Sequence, residues 1–359
     1  MTHSHSSLGT AFAYLKAVEL RRLGASDLKI TPIGLGTWAI GGGDWFLGWG
    51  PQDDDRSVAT IRRAIESGIN WIDTGAVFGL GHAERVVAKA LRVLRGRSRP
   101  YVFTRCGLVW DDLGNVGHDL GRESIRLQAE ASLRRLGTDV IDLYQIGWPV
   151  WPVKPTGAAP PPSSPEVAWE AMADLQREGK VRLIGISNCA AAQLARLDRI
   201  APVTSLSMPY SLLRREAEER TDPSCMRSDL GVLACSTLGS GLLTGTMTQE
   251  RVLALPHNDW RRRHPFFQEI ALTRATTLVD RLRKVADRHG ISPAAVAIAW
   301  TLRHPRVTAA IVGARKPEQI AEIVEAASCR LSEQDLAQLT ASHQKTDMKD
   351  MKDMKLMKV

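Results

Sequence analysis

Apolar residues along the chain fall into two alternating kinds of run. Short continuous runs occur at Ile33–Thr37, Asn70–Asp73, Tyr101–Cys106, Val140–Ile146, Arg182–Ser187, Val203–Ser207, Gly231–Ser236 and Ala309–Val312. Few of them alternate with polar residues, as expected of strands buried on both faces of a parallel sheet. Between them the apolar positions recur every three or four residues, the period of a helix with one buried face. Val58, Ile61 and Ile65 make one such stripe, which Asp54 or Asp55 can cap and Gly68 can close. Val86, Val87, Ala90, Leu91 and Leu94 make the next. Ile125, Ala129, Leu133 and Leu136 stop at Gly137, and Val167, Ala171, Met172 and Leu175 stop at Gly179. Helical periods also run through Ala190–Ile200, Leu278–His289, Pro293–Arg303 and Pro317–Ala327. Eight strands with intervening helices over about 300 residues predict an α/β fold, a closed (β/α)8 TIM barrel, in preference to an open doubly wound sheet.

Three segments stand outside this rhythm. Residues 1–20 read as an extension, so the barrel is expected over 21–340. Pro149–Pro165 carries seven prolines in 17 residues and should form a stiff loop at the barrel mouth. The sequence Asp-Met-Lys repeats three times from Asp347 to Lys355, and 341–359 is expected to be a disordered tail.

Composition narrows the setting. The 359 residues are 44% apolar, enough for a large core, yet no run of about 18 apolar residues exists to cross a membrane. Polar residues Met1–Ser7 precede no small-residue cleavage pattern, so no signal peptide is expected. The five cysteines are scattered without a Cys-x-x-Cys pair, which argues against a metal site and for a reducing cytoplasm. The net charge of +8 is mostly balanced locally, as in Arg214–Arg220. It therefore predicts a solvated surface with a basic ligand pocket, a small-molecule partner, and no nucleic acid or membrane partner.

Active sites of such barrels lie at the C-terminal strand ends. Those ends hold Trp38, Asp73, Arg105 with Cys106, Gly147 with Trp148, Ser187 with Asn188, Ser207, and Cys235 with Ser236. Trp45, Trp49, Trp110 and Trp151 follow in the loops. So many indoles at one rim predict an aromatic pocket for a flat or apolar ligand, although any one of them could simply pack the barrel top.

Several blocks in order resemble the aldo-keto reductases: Gly68–Gly79 (GINWIDTGAVFG), Ile141–Pro149 (IDLYQIGWP), Gly179–Asn188 (GKVRLIGISN), Leu238–Gly245 (LGSGLLTG) and Gly313–Gln319 (GARKPEQ). The resemblance covers roughly residues 19 to 340. It implies carbonyl reduction with NADP(H) by four residues: Asp, Tyr, Lys and His. Here the Asp position is Asp73, the Tyr position Phe78, the Lys position Arg105 and the His position Gly147. Phe78 has no O–H to donate. Arg105 stays protonated. Gly147 has no side chain. Loss of the general acid alone costs about 10²–10⁴ in rate. Asp73 and Arg105 could pair, either as a structural salt bridge or in a functional one. His82 is the nearest titratable substitute, unless it only packs or caps a helix start. Cys106 and Cys235 are expected to be buried, inert thiols.

The resemblance places the cofactor as follows. Ser187 and Asn188 match contacts to the nicotinamide amide. Ser236 with Leu238, Gly239, Ser240 and Leu242 matches the loop over the pyrophosphate. Gly313, Arg315 and Lys316 match the loop around the adenosine 2′-phosphate, followed by Gln319 and Glu322. Cys235 replaces the stacking aromatic, Ser207 the usual Gln, and Ile323 an Asn near adenine. No Rossmann fingerprint is present, since Gly34-Leu35-Gly36 lacks the third glycine. Three functions fit: a redox-neutral enzyme retaining NADP(H), performing elimination or dehydration, epimerisation or cyclisation; a weak NADPH-dependent oxidoreductase; or an inactive nucleotide- or protein-binding relative.

Overall fold

The computed structural model describes residues 19–94, 99–147, 164–215 and 229–340. Trp148, Trp151, most of the Pro-rich loop, residues 1–18 of the extension and the tail 341–359 lie outside the described residues.

An antiparallel hairpin of β1 (Arg21–Arg22) and β2 (Lys29–Ile30) precedes the barrel. The barrel strands are β3 (Ile33–Gly36), β4 (Trp71–Asp73) and β5 (Tyr101–Cys106). After a second hairpin, β6 (Leu108–Trp110) with β7 (Val116–His118), come β8 (Ile141–Ile146), β9 (Val181–Ser187), β10 (Ser205–Pro209), β11 (Gly231–Cys235) and β12 (Ala309–Gly313). The eight close in chain order, every neighbour parallel, with β12 returning to β3. This is the (β/α)8 TIM barrel expected from the runs. The sixth strand sits two residues later than its apolar run, at Ser205–Pro209.

Neither hairpin was expected. The first has a structural purpose: Leu23, Leu28 and Ile30 join Trp71, Phe103, Leu143, Leu233 and Ile311 in one buried cluster. Alternate strand residues face opposite sides, so these fill the barrel interior and the hairpin packs against them. Gly34 is required there, because a Cβ on it would lie 2.2 Å from the Trp71 ring. Intervening residues such as Ile72, Val102, Tyr144, Ile184 and Ala234 join the larger cluster shared with the helices.

The helices start where side chains can satisfy their free N–H groups. Asp53, rather than Asp54 or Asp55, caps Asp54–Glu66 by accepting from the Arg56 N–H at 2.7 Å. Ser164 and Ser292 cap Pro165–Arg177 and Pro293–Leu302, each with proline at the first turn. Gly137 ends Arg122–Leu136 in the left-handed region, as its position predicted. The helix Glu269–His289 begins nine residues before its apolar stripe at Leu278. No helix among the described residues is long and apolar enough to cross a membrane.

Candidate active site

Two residues beyond the inner apolar layer, the same strand faces carry polar groups. Asp73 follows Trp71, Arg105 follows Phe103, Gln145 follows Leu143 and Cys235 follows Leu233, while Ser187 and Ser207 occupy the same level on β9 and β10. Strand alternation therefore builds the floor of the site. One Nη of Arg105 donates to both oxygens of Asp73, at 2.8 and 3.0 Å, and the other donates to Ser187 Oγ at 2.9 Å. Ser207 Oγ lies 3.5 Å from the same guanidinium and donates to Gln145 Oε1 at 2.9 Å. Burial pushes the Asp73 carboxyl up, against the pull of Arg105. Burial also works against the charge of Arg105, but the Asp73 carboxylate outweighs it and holds the guanidinium protonated.

Above this floor opens a cleft of about 1090 Å³. Phe78 and Gly147 line it, and neither offers a proton. Of the cofactor candidates, Ser187, Asn188, Cys235, Ser236, Leu238, Gly239, Ser240 and Leu242 line one part. Gly313, Arg315, Lys316, Gln319, Glu322 and Ile323 line another. Ser207 is not among the lining residues and acts from behind Arg105. Four described non-glycine residues have positive φ: Leu80, Asn188, Ser236 and Ser240. Three of the four line the cleft, and strained backbone of this kind gathers at functional sites.

The indoles divide. Trp38, Trp45 and Trp49 line the cleft. Trp38 stacks on Trp260 with ring centroids 5.4 Å apart and on Phe78 at 6.3 Å. Trp110 does not line it; its ring packs under the Arg135 guanidinium at 5.6 Å on the β6–β7 hairpin. His82 is also displaced from its expected role. Its Nε2 pairs with Asp54 Oδ1 at 2.8 Å at the start of helix His82–Arg92, and it is absent from the lining. Cys106 is buried and pushed up to about 12, chiefly by desolvation, so it is an inert thiol. Cys235 is likewise raised by burial, although it lines the cleft.

The turn Asp259–His264 contributes a wall that sequence reading missed. Arg261 is held by buried Asp259 at 2.6 and 2.9 Å, reaches Ser240 O at 3.4 Å and lies 4.4 Å over the Trp49 ring. It thus ties the loop after β11 to the indole wall. His264 lines the cleft against Trp260, and its Nδ1 accepts from the Phe266 N–H at 3.2 Å. Burial, helped by the Arg214 charge, pushes its imidazole below the usual value, so it is neutral at pH 7. Among the described residues no cluster of side chains could hold a metal ion.

The aldo/keto reductase family model matches residues 32–344. The chain is 34% identical over 321 residues to the aldo-keto reductase YhdN of Bacillus subtilis, covering 89% of this chain and 91% of that one. It is 33% identical over 325 residues to the NADH-specific methylglyoxal reductase of Escherichia coli, covering 87% and 94%. Among solved structures it is similar to the glycerol dehydrogenase AKR11B4 of Gluconobacter oxydans, with TM-score 0.77, 33% identity and coverage of 90% and 95%. A Klebsiella pneumoniae aldo/keto reductase solved with NADP and acetate matches with TM-score 0.63, 28% identity and coverage of 90% and 95%. A family model matched over residues 32–344, with relatives above 30% identical along most of both chains, places this chain in the aldo/keto reductase family.

Proposed function

We propose that the cleft binds NADP(H) and that the chain is an enzyme acting on a small, partly apolar molecule by redox-neutral chemistry: elimination or dehydration, epimerisation or cyclisation. The observation that carries this reading is the floor. Asp73 and Arg105 are locked together, and Phe78 and Gly147, at the positions where the family resemblance implies proton-donating side chains, line the cleft without offering one. The residues present fit a dinucleotide: the cations Arg315 and Lys316 follow β12, Ser187 and Asn188 stand at the end of β9, and all four line the cleft. When bound, the cofactor supplies a hydride-transferring ring. Arg105 can stabilise negative charge on a substrate oxygen but cannot hand over its proton. Asp73 on the floor and neutral His264 in the aromatic wall are able to take one up.

A second reading, weak carbonyl oxidoreduction with water as the acid, is favoured by the relatives named methylglyoxal reductase and glycerol dehydrogenase. Titration with NADPH and NADP⁺, followed by NADPH oxidation with methylglyoxal, separates the readings. Micromolar binding with negligible oxidation supports the redox-neutral enzyme. Rapid oxidation supports the reductase. Absence of binding removes both and leaves an inactive relative.

A further inference from the structure

Seven cationic side chains line the cleft: Arg56, Arg105, Arg214, Arg251, Arg261, Arg315 and Lys316. Most are committed. Arg105 pairs with Asp73 and Arg261 with Asp259. Arg56 pairs with Glu318, Arg251 donates to Thr246 O, and Arg315 donates to Gln52 and Pro51. Lys316 falls where the 2′-phosphate is expected. Arg214 is different: among the described residues its side chain makes no hydrogen bond or ion pair, and its Nε is buried without a partner. A buried donor left unpaired costs about 1–3 kcal/mol, so such a group calls for a partner that completes it.

Its placement indicates what that ligand carries. Arg214 follows β10, anchored by reciprocal backbone bonds with Ser211. Its charge acts on Cys235 at the floor and on His264 in the aromatic wall. Cys235 also feels Asp73 and Arg105. Leu213 beside it packs against the cluster of Trp38, Trp49 and Trp260, so the guanidinium belongs to the half of the cleft with the floor and the indoles. The adenosine end lies on β12 and the helix after it.

We infer that Arg214 is a substrate-recognition residue that binds a carboxylate, and that the substrate class is a small aromatic or apolar carboxylic acid seated against Trp38, Trp260 and Phe78. The acid's two oxygens accept from the guanidinium while its apolar body replaces water against the rings. This assignment rests on the proposed function, in which Arg315 and Lys316 hold the cofactor. The competing source of the same chemistry is the cofactor pyrophosphate.

The test is calorimetric titration of the NADP⁺-saturated protein with phenylacetate and with phenylacetamide, a neutral match of similar shape. The expected result is a preference for phenylacetate of about tenfold or more. Arg214→Gln should abolish that preference and leave NADP⁺ affinity unchanged, and Arg214→Lys should keep part of it. Equal binding of the two compounds by the wild type, or a preference that survives in Arg214→Gln, overturns the inference. A loss of NADP⁺ affinity in Arg214→Gln also overturns it and assigns the guanidinium to the pyrophosphate. If the wild type binds no NADP⁺, the proposed function fails by itself, and the same pair of compounds measured on the free protein still decides the role of Arg214.

Discussion

The resemblance to the aldo-keto reductases implies a tyrosine where Phe78 stands, and the one oxygen by which the two differ would be the proton source. Replacing it is therefore informative only together with its partner. A tyrosine acts as an acid when a nearby cation lowers its pKa, and here the cation at the matching strand position is an Arg bound to Asp73. Phe78→Tyr combined with Arg105→Lys should raise NADPH oxidation with methylglyoxal by about 10²–10⁴ over the wild type. Phe78→Tyr alone should gain much less, and steady-state loss of NADPH absorbance measures both. A wild type already as fast as the double variant would show that another group delivers the proton. Arg105 also carries a stability prediction. Arg105→Leu leaves a buried carboxylate alone and should cost about 3–5 kcal/mol. Burial already holds the Asp73 carboxyl above its usual value. A group raised in the folded state favours the fold when protonated. Its contribution is complete below about pH 4, the unfolded value, and is lost as pH rises through the folded one. The Arg105→Leu deficit should therefore be small near pH 4 and large at pH 8, as read by denaturant unfolding at each pH.

Elements were legible where burial imposed a period. Continuous apolar runs gave all eight barrel strands, and strand alternation then put Asp73, Arg105, Ser187 and Cys235 on one floor. The hairpin Arg21–Ile30 escaped because strands of two residues have no period to detect. The turn holding Trp260 and Arg261 escaped because a four-residue 3-10 helix, ordered by Asp259 and the indoles, is too short to show a period. His82 was misplaced because sequence proximity to Asp73 does not show that its ring turns to Asp54. The last described helix, Glu333–Thr340, has a readable signal in its sequence: Ser332 and Asp335 have capping-box spacing. Asp335 accepts from Arg288 at 2.6 Å, His289 at 2.9 Å and Ser332 Oγ at 2.8 Å, fastening this helix to Glu269–His289. Burial pushes its carboxyl up, but these hydrogen bonds outweigh that and hold it well below the usual range. A depressed carboxyl stabilises the fold above its unfolded pKa and loses that contribution as pH falls through the folded value. Asp335→Asn should cost about 1–3 kcal/mol at pH 7. The gap to the wild type should narrow as pH drops below about 4. A gap independent of pH would mean that the ion pairs contribute nothing.

Across the whole molecule, the cofactor cleft is closed by contacts between distant parts of the chain, and two neighbouring cations serve it differently. Arg315 donates to Gln52 Oε1 at 2.7 Å and to Pro51 O at 2.6 Å, so it staples the loop after β3 to the end of β12. Gln52 in turn donates to Arg315 O at 3.0 Å. Lys316 shares the cleft lining without such a tie. A charge free to meet a 2′-phosphate should discriminate between NADPH and NADH, whereas a staple should matter to both. Ligand binding stabilises the folded state, by about 2.7 kcal/mol at a hundredfold excess over Kd, and so raises the melting temperature. Lys316→Ala should therefore shrink the shift produced by NADPH and leave that produced by NADH. Arg315→Ala should shrink both and also lower the melting temperature of the free protein, because the staple stabilises it without ligand. Thermal unfolding of the three proteins with each nucleotide reads all of this at once. If Arg315→Ala affected NADPH alone, its guanidinium would leave Gln52 for the phosphate on binding. If neither variant altered the NADPH shift, the cations at this end would not hold a phosphate, and the dinucleotide reading of the cleft would fall with them.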